Sequence, residues 1–275
     1  MRPGWGCVHS APVTLAHDVA GTGPTVLLLH STVCDRRMWD PQVPVLVEAG
    51  YHVVRCDLRG HGQTPPPTRP HNDAQDVAEL LDILGVGRVA LVAASGGGRV
   101  ALEFAARWPQ RVTALALLGT ALAGHEPSAA LREFEEQEEA LLESGDVTGA
   151  TELNVRTWLG PYTDEATRQR VRQMQRHAFE VQLAADDVEP IRVDIDPSVI
   201  TAPCLLISGA HDLPDFRRIA AELAGRLATA RHLEPDWAGH LPSLERPDAL
   251  NPLLVDFLRE TVPAPDPLPR LTGTS

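Results

Sequence analysis

The chain has no lysine; all 24 of its basic residues are arginine. That absence excludes a Schiff-base nucleophile, a pyridoxal phosphate anchor and the lysine of a phosphate-binding loop. Positive charge is scarce overall, because 37 acidic residues leave a formal net charge of -13 at pH 7. This balance argues against a nucleic-acid surface and against an anionic membrane as partner. Cysteine is scarce too: Cys7, Cys34, Cys56 and Cys204 show no paired or metal-like spacing. Cys56 and Cys204 lie in strand-like apolar runs, which reads as buried reduced thiols in a cytoplasmic protein. No apolar run approaches the ~20 residues that span a bilayer. The start, MRPGWGCVHS, lacks the charged and apolar regions of a signal peptide. The expectation is a soluble cytoplasmic protein acting on a small molecule, with no nucleic-acid or membrane partner. At 275 residues it has room for one large α/β domain carrying an insertion.

What is present alternates. The runs VTLAHDVA (13–20), TVLLLH (25–30), YHVVRCDL (51–58), RVALVAA, VTALALLG, PCLLISG (203–209) and ATARHLE read as strands. Helical segments separate most of them, including MWDPQVPVLVEAG closed by Gly50, and DAQDVAELLDILG with its stripe of Val77, Leu80, Leu81 and Leu84. Nearly continuous apolar strands alternating with helices indicate a mostly parallel sheet covered on both faces. The alternation stops at about residue 123 and resumes at about 199, and the stretch between is helical. Two of its segments carry opposite charge, the acidic AALREFEEQEEALLE and the basic RQRVRQMQRHAFEVQLA. These are either two solvated faces or two helices paired through charge. The sequence therefore divides into a core of residues 1–122 and 199–262, a helical insertion at 123–198, and a proline-rich tail at 263–275 read as disordered.

In LVAASGGGRV (91–100), an apolar run ends in one serine followed by three glycines. A strand that turns at once into a helix strains the residue at the apex and exposes its side chain at the sheet edge. Residues two positions before and after must be small, because the two backbones pass close together. Ala93 and Gly97 flank Ser95 in that way, and the N–H of Gly96 then points where an oxyanion would form. The competing reading is a flexible glycine-rich loop or a weak phosphate-binding turn, although the G-x-G-x-x-G pattern is absent.

A serine hydroxyl is a poor nucleophile without a base held by a carboxylate. GAHDLPDF places Asp212 just past a strand, with Asp215 as its rival, and DWAGHLPSLERP places His240 in the loop before the last helix. The order Ser95, Asp212, His240 follows the chain. His30 and His61 read as residues that orient loops, Asp57 and Arg59 as a loop brace, and Cys34 as an inert thiol. No histidine pair has the spacing of a metal site.

These motifs together, from TVLLLHS through DLRGHGQT (57–64), the Ser95 turn and GAHDLPDF to GHLPSLERP, resemble the α/β-hydrolase family over almost the whole chain. The resemblance implies an eight-stranded, mostly parallel sheet flanked by helices, with a helical cap inserted after the sixth strand. It favours Asp212 over Asp215 as the acid, three residues after Gly209. It also implies that a second oxyanion N–H comes from Thr32, in a loop reading His30-Ser31 where members usually have His-Gly. Ser31 then adds a hydroxyl near the oxyanion region, and Ala93 stands where members favour glycine. The chemistry implied is a serine hydrolase acting on a small or medium, mostly apolar ester or lactone, without cofactor or metal. Trp39, Trp158, Met174 and Phe179 are the candidate apolar lining. Relatives of the same fold that cleave C–C bonds or thioesters, transfer acyl groups or act as cofactor-free haloperoxidases share these residues, and a non-catalytic receptor on the scaffold is a remoter reading. A serine rather than an aspartate at position 95 argues against dehalogenase and epoxide hydrolase chemistry.

Overall fold

The computed structural model describes residues 15–186 and 188–262. The disordered-tail reading of 263–275, and the reading of the first ten residues, lie outside the described residues.

Seven strands form one sheet: β1 (His17–Ala20), β2 (Thr25–Leu29), β3 (His52–Cys56), β4 (Val89–Ala94), β5 (Val112–Leu118), β6 (Cys204–Ile207) and β7 (Ala230–Leu233). Their spatial order is β1-β3-β2-β4-β5-β6-β7, and only β1 runs antiparallel to its neighbour. The count corrects the expected eight. Each of the seven strand-like runs in the sequence supplies one strand, and among the described residues no further run supplies another. Burial follows position in the sheet. All six residues of β4 are buried, because helices cover the central strand on both faces, whereas edge strand β1 has none buried.

The helices obey local rules. The expected helix at 38–50 is broken, with a 3-10 turn at Arg36–Trp39 and α1 (Val43–Glu48) either side of Pro41, whose ring lacks a donor and restrains its neighbour. Helix α2 (Asp73–Ile83) starts where the Asn72 side chain accepts from Gln75 N–H at 2.8 Å. Helix α3 (Gly96–Arg107) follows β4 directly. The segment expected to be helical holds α4 (Ala129–Glu143), α5 (Val147–Trp158) and α6 (Glu165–Leu183). The acidic α4 and basic α6 do not pair through charge among the described ion pairs. Helix α5 packs against both, and Arg172 of α6 bonds Glu152 of α5 instead. Beyond β6 come α7 (Pro214–Arg226), α8 (Pro242–Glu245) and α9 (Pro247–Thr261). Pro247 splits the last two, which the sequence presents as one helix.

The strand order has one consequence for function. The chain leaves β2 toward β3 on one side and leaves β4 toward β5 on the other, so a crevice opens beyond the carboxyl ends of β2 and β4. The chain leaves β2 through residues 30–35 and leaves β4 through Ser95 at that edge.

Candidate active site

Ser95 sits in that crevice, between the last residue of β4 and the first of α3, with φ 52° and ψ -119°. It is the sole non-glycine residue at positive φ among those described. Such a conformation costs of order 1–3 kcal/mol and persists only where the surroundings enforce it. Four backbone bonds around it do so. Ser95 N–H donates to Leu118 O at 3.0 Å, and Ser95 O accepts from Gly98, Arg99 and Ala121 N–H at 2.9, 3.2 and 3.0 Å. The turn alone would leave Ser95 exposed; in the folded chain it is buried, at 7% exposure. The glycines behind it answer to clearance. A Cβ on Gly97 would lie 2.7 Å from Leu29 O of β2, so α3 approaches the sheet only without one. Three consecutive glycines cost a helix roughly 1 kcal/mol each relative to alanine. The chain gives up that stability for the close approach.

His240 and Asp212 meet from two other loops. Asp212 Oδ2 accepts from His240 Nδ1 at 2.8 Å, while its Oδ1 accepts from Leu213 N–H at 2.7 Å. The carboxylate side chain has no exposed surface and the imidazole 2%. Because both Asp212 oxygens accept, Nδ1 carries the proton and Nε2 is left with its lone pair. Gly119 brings this pair to Ser95. It lies between Leu118 and Ala121, two of the backbone partners of Ser95, and with φ +50° it leaves room for His240, whose Nδ1 would be 3.0 Å from a Cβ there. The backbone of Ser95 and the ring of His240 thus meet the same short stretch, 118–121, just past the end of β5.

The imidazole is enclosed by aromatic rings. Phe216 of α7 and Trp158 of α5 stand 4.2 and 4.6 Å from it, centroid to centroid, and Phe134 of α4 packs edge-on against Trp158 at 4.7 Å. Trp158 is fixed at its other end, where Nε1 donates to Asn154 Oδ1 at 2.8 Å and Asn154 in turn bonds Glu138. Trp158 O also accepts from His240 N–H at 3.1 Å, so α5 touches both ring and backbone of the histidine. Phe216 escapes a reading of the sequence because it lies within a helix start, although its place four residues after Asp212 is a usable signal.

The other predicted residues fall as follows. Thr32 is exposed and its Cγ2 lies 2.5 Å from where a Gly96 Cβ would be, which sets the loop after β2 against the start of α3. Ser31 is fully buried, its N–H facing Met38 Sδ at 3.3 Å and its Oγ facing Val33 N–H at 3.5 Å. Trp39 also exposes no surface and belongs to the main core. Met174 and Phe179 are buried on α6, without a ring contact to His240. His30 is wholly enclosed, and burial with the neighbouring His61 pushes its pKa down to about 3. As a neutral ring it donates from Nδ1 to Ser31 O at 2.8 Å and accepts Leu58 N–H at Nε2 at 2.9 Å. His61 faces Arg59 O and Thr32 O at 3.0 Å each, Asp57 bonds Arg36 and Gln63, and Arg59 grips Asp76. Cys34 is buried, which pushes its thiol up. His71, Asp73 and Asp76 also cluster, but Arg59 and Arg99 engage the two carboxylates.

Asp215 serves another place. It accepts from His125 Nε2 at 2.9 Å, from Ser128 N–H at 2.7 Å and Oγ at 2.5 Å, and from Arg218 at 3.0 Å. Ser128 caps α4, so Asp215 latches the start of α4 to α7. Burial opposes its ionisation, but the bonds from Ser128 and His125 and the charge of Arg218 outweigh it and bring the pKa to about 2. A depressed carboxylate stabilises the fold above its unfolded pKa of about 3.9 and loses that contribution as pH falls through the folded value. The Tm difference between the parent and Asp215→Asn is therefore expected to be full at pH 6 and to shrink toward zero by pH 2. A constant difference across that range would remove the charge from the latch.

A parallel sheet in this strand order, with a strained serine beyond its central strand and helices inserted after β5, defines a class. A family profile described as alpha/beta hydrolase fold matches residues 24–164. The chain belongs to that family and is a hydrolase of it. A Pantoea ananatis relative, RutD, provisionally named a carbamate hydrolase, is 30% identical over 261 residues, covering 89% of this chain and 92% of its own. The enol-lactonase of Burkholderia xenovorans LB400 superposes with a TM-score of 0.74 at 28% identity, over 89% of this chain and 96% of that one. A thermophilic esterase of Thermogutta terrifontis gives a TM-score of 0.75 at 25% identity, over 90% and 93%. Among the described residues no helix is long and apolar enough to cross a membrane.

Proposed function

We propose that the protein hydrolyses small or medium, mostly apolar carboxylic esters or lactones through Ser95, His240 and Asp212. The observation that carries the reading is the juxtaposition at residues 118–121, where the strained Ser95 bonds Leu118 and Ala121 and the His240–Asp212 pair packs on Gly119. In this mechanism His240 Nε2 takes the Ser95 proton as Oγ attacks the carbonyl carbon. Asp212 holds the imidazole in the tautomer that can accept, and then stabilises the imidazolium. The N–H groups of Gly96 and Thr32 receive the oxyanion, each worth ~3 kcal/mol of barrier. The imidazolium returns its proton to the leaving alkoxide. Water then attacks the acyl-enzyme with His240 again as base, releasing the acid and restoring Ser95. No cofactor enters the scheme.

The ring cluster of Trp158, Phe216 and Phe134 supports an uncharged substrate, since a charge there would lose hydration without a partner. Three arginines of the inserted helices are engaged elsewhere: Arg156 is exposed, and Arg172 and Arg176 bond Glu152 and Glu180. The relatives named enol-lactonase and esterase favour the same substrate class. RutD's name adds a carbamate as a second acyl type for the same chemistry. Each buried CH₂ adds ~0.8 kcal/mol, so kcat/KM for p-nitrophenyl esters is expected to rise from acetate through butyrate and to fall again by decanoate as the pocket fills. A charged dicarboxylate monoester is expected to be the poorest. Preference for that monoester would overturn the apolar-site reading, and preference for a phenyl carbamate would move the assignment to carbamates.

A further inference from the structure

We propose that Glu245 is a positioning residue for His240, a buried carboxylate that holds the backbone on both sides of the histidine and joins that loop to the cap. Glu245 Oε2 accepts from Gly239 N–H at 2.8 Å and Oε1 from Leu241 N–H at 2.9 Å, the residues immediately before and after His240. The same Oε2 accepts from Gly160 N–H at 3.2 Å, two residues past Trp158. All three contacts are N–H donors, which a carboxylate meets with lone pairs on both oxygens. No arginine pairs with it among the described ion pairs, and the three amides are the groups that bond its oxygens. Burial pushes its carboxyl up, and the amides of Gly239, Leu241 and Gly160 with the charge of His240 hold that rise back.

The grip is specific to this place. Gly160 and Gly239 touch backbone to backbone, and a Cβ on Gly160 would lie 2.9 Å from Gly239 N. Around that contact, one carboxylate fixes His240 through its two neighbours and fixes Trp158, the ring and carbonyl against which His240 rests. The ionisable groups facing His240 are Asp212 at Nδ1 and Glu245 behind the loop; Trp158 and Phe216 cover it with apolar surface. A second negative charge near the ring favours the imidazolium formed when Ser95 loses its proton. This inference rests on the proposed role of His240 as general base.

The test is Glu245→Gln in the full chain, assayed on p-nitrophenyl butyrate. The variant turns one acceptor into a donor that opposes a backbone N–H, and it removes the charge. A misplaced base costs of order 10²-fold, so kcat is expected to fall 10- to 100-fold by that estimate with KM nearly unchanged. The acid limb of the kcat/KM pH profile should move to lower pH, because the imidazolium has lost a supporting charge. A lowered Tm with parental kcat and a parental acid limb would leave Glu245 a structural clamp only, and overturn the proposal. Glu245→Asp is the second variant. It keeps the charge but is one methylene too short to reach all three amides. Lowered kcat with the acid limb at its parental pH is the expected result, and parental kcat would defeat the argument from reach. Ser95→Ala run beside them separates the two readings. Turnover surviving in Ser95→Ala defeats the assignment of the nucleophile, whereas an inactive Ser95→Ala with a parental Glu245→Gln defeats only the role given to Glu245.

Discussion

Ser95→Ala is expected to lose turnover by roughly 10⁴-fold or more, as removal of a triad nucleophile does, and to lose all labelling by a fluorophosphonate. The fold should survive. Alanine meets the same backbone constraint at φ 52° that serine already tolerates, and the bonds to Leu118, Gly98 and Ala121 are made by main-chain atoms. What disappears is the hydroxyl at the crevice that the His240–Asp212 pair adjoins through Gly119. Labelling and circular dichroism on the same sample decide the matter. A folded Ser95→Ala protein that still labels would place the nucleophile at another serine.

Asp212→Asn is expected to cost about 10⁴-fold in kcat, by the size of the loss when a triad carboxylate becomes an amide. Asp215→Asn is expected to cost about tenfold or less in kcat, together with about 1–3 kcal/mol of stability, the usual cost of leaving a buried hydrogen-bonding partner unsatisfied. The two acids are three residues apart yet serve different neighbours. Asp212 accepts the Nδ1 proton of His240, and an amide in its place either offers a donor to a donor or leaves the imidazole free to take the wrong tautomer. Asp215 bonds His125, Ser128 and Arg218 at the root of the cap, where an amide weakens the latch without touching the imidazole. Measuring kcat for both variants at neutral pH, with Tm as the second readout, separates them. A larger loss of kcat at Asp215 would reverse the assignment.

The contrast between these acids shows where a linear reading stops. Both follow the same strand within one short motif, and residue type cannot distinguish them; the resemblance to a family chose Asp212. In the structure Asp212 meets His240, 28 positions along the chain, and Asp215 meets Ser128, 87 positions away. The charge pattern of α4 and α6 leaves their packing open in a similar way. Acidic α4 and basic α6 are each visible as periodic helices, but α5 lies between them, and packing order within a helical layer leaves no local trace. Glu245 is legible only as a polar residue near a helix end. Its three amide partners belong to two segments that meet by backbone contact at Gly160 and Gly239.

What the sequence determined by itself is what depends on neighbours along the chain. The five inner apolar runs are strands because near-continuous burial suits a parallel sheet, and all seven strand-like runs appear. Ser95 is strained at a tight turn because Ala93 and Gly97 are small and sit two residues to either side. Proline positions break α8 from α9 and the 3-10 turn from α1, which helical periodicity alone overlooks. Tertiary structure alone decided which carboxylate holds the histidine, which rings enclose it, and that the cap grips its backbone through Trp158 and Glu245. Those contacts join atoms far apart in sequence, and their energies depend on distance and burial, quantities that exist only once the chain has folded.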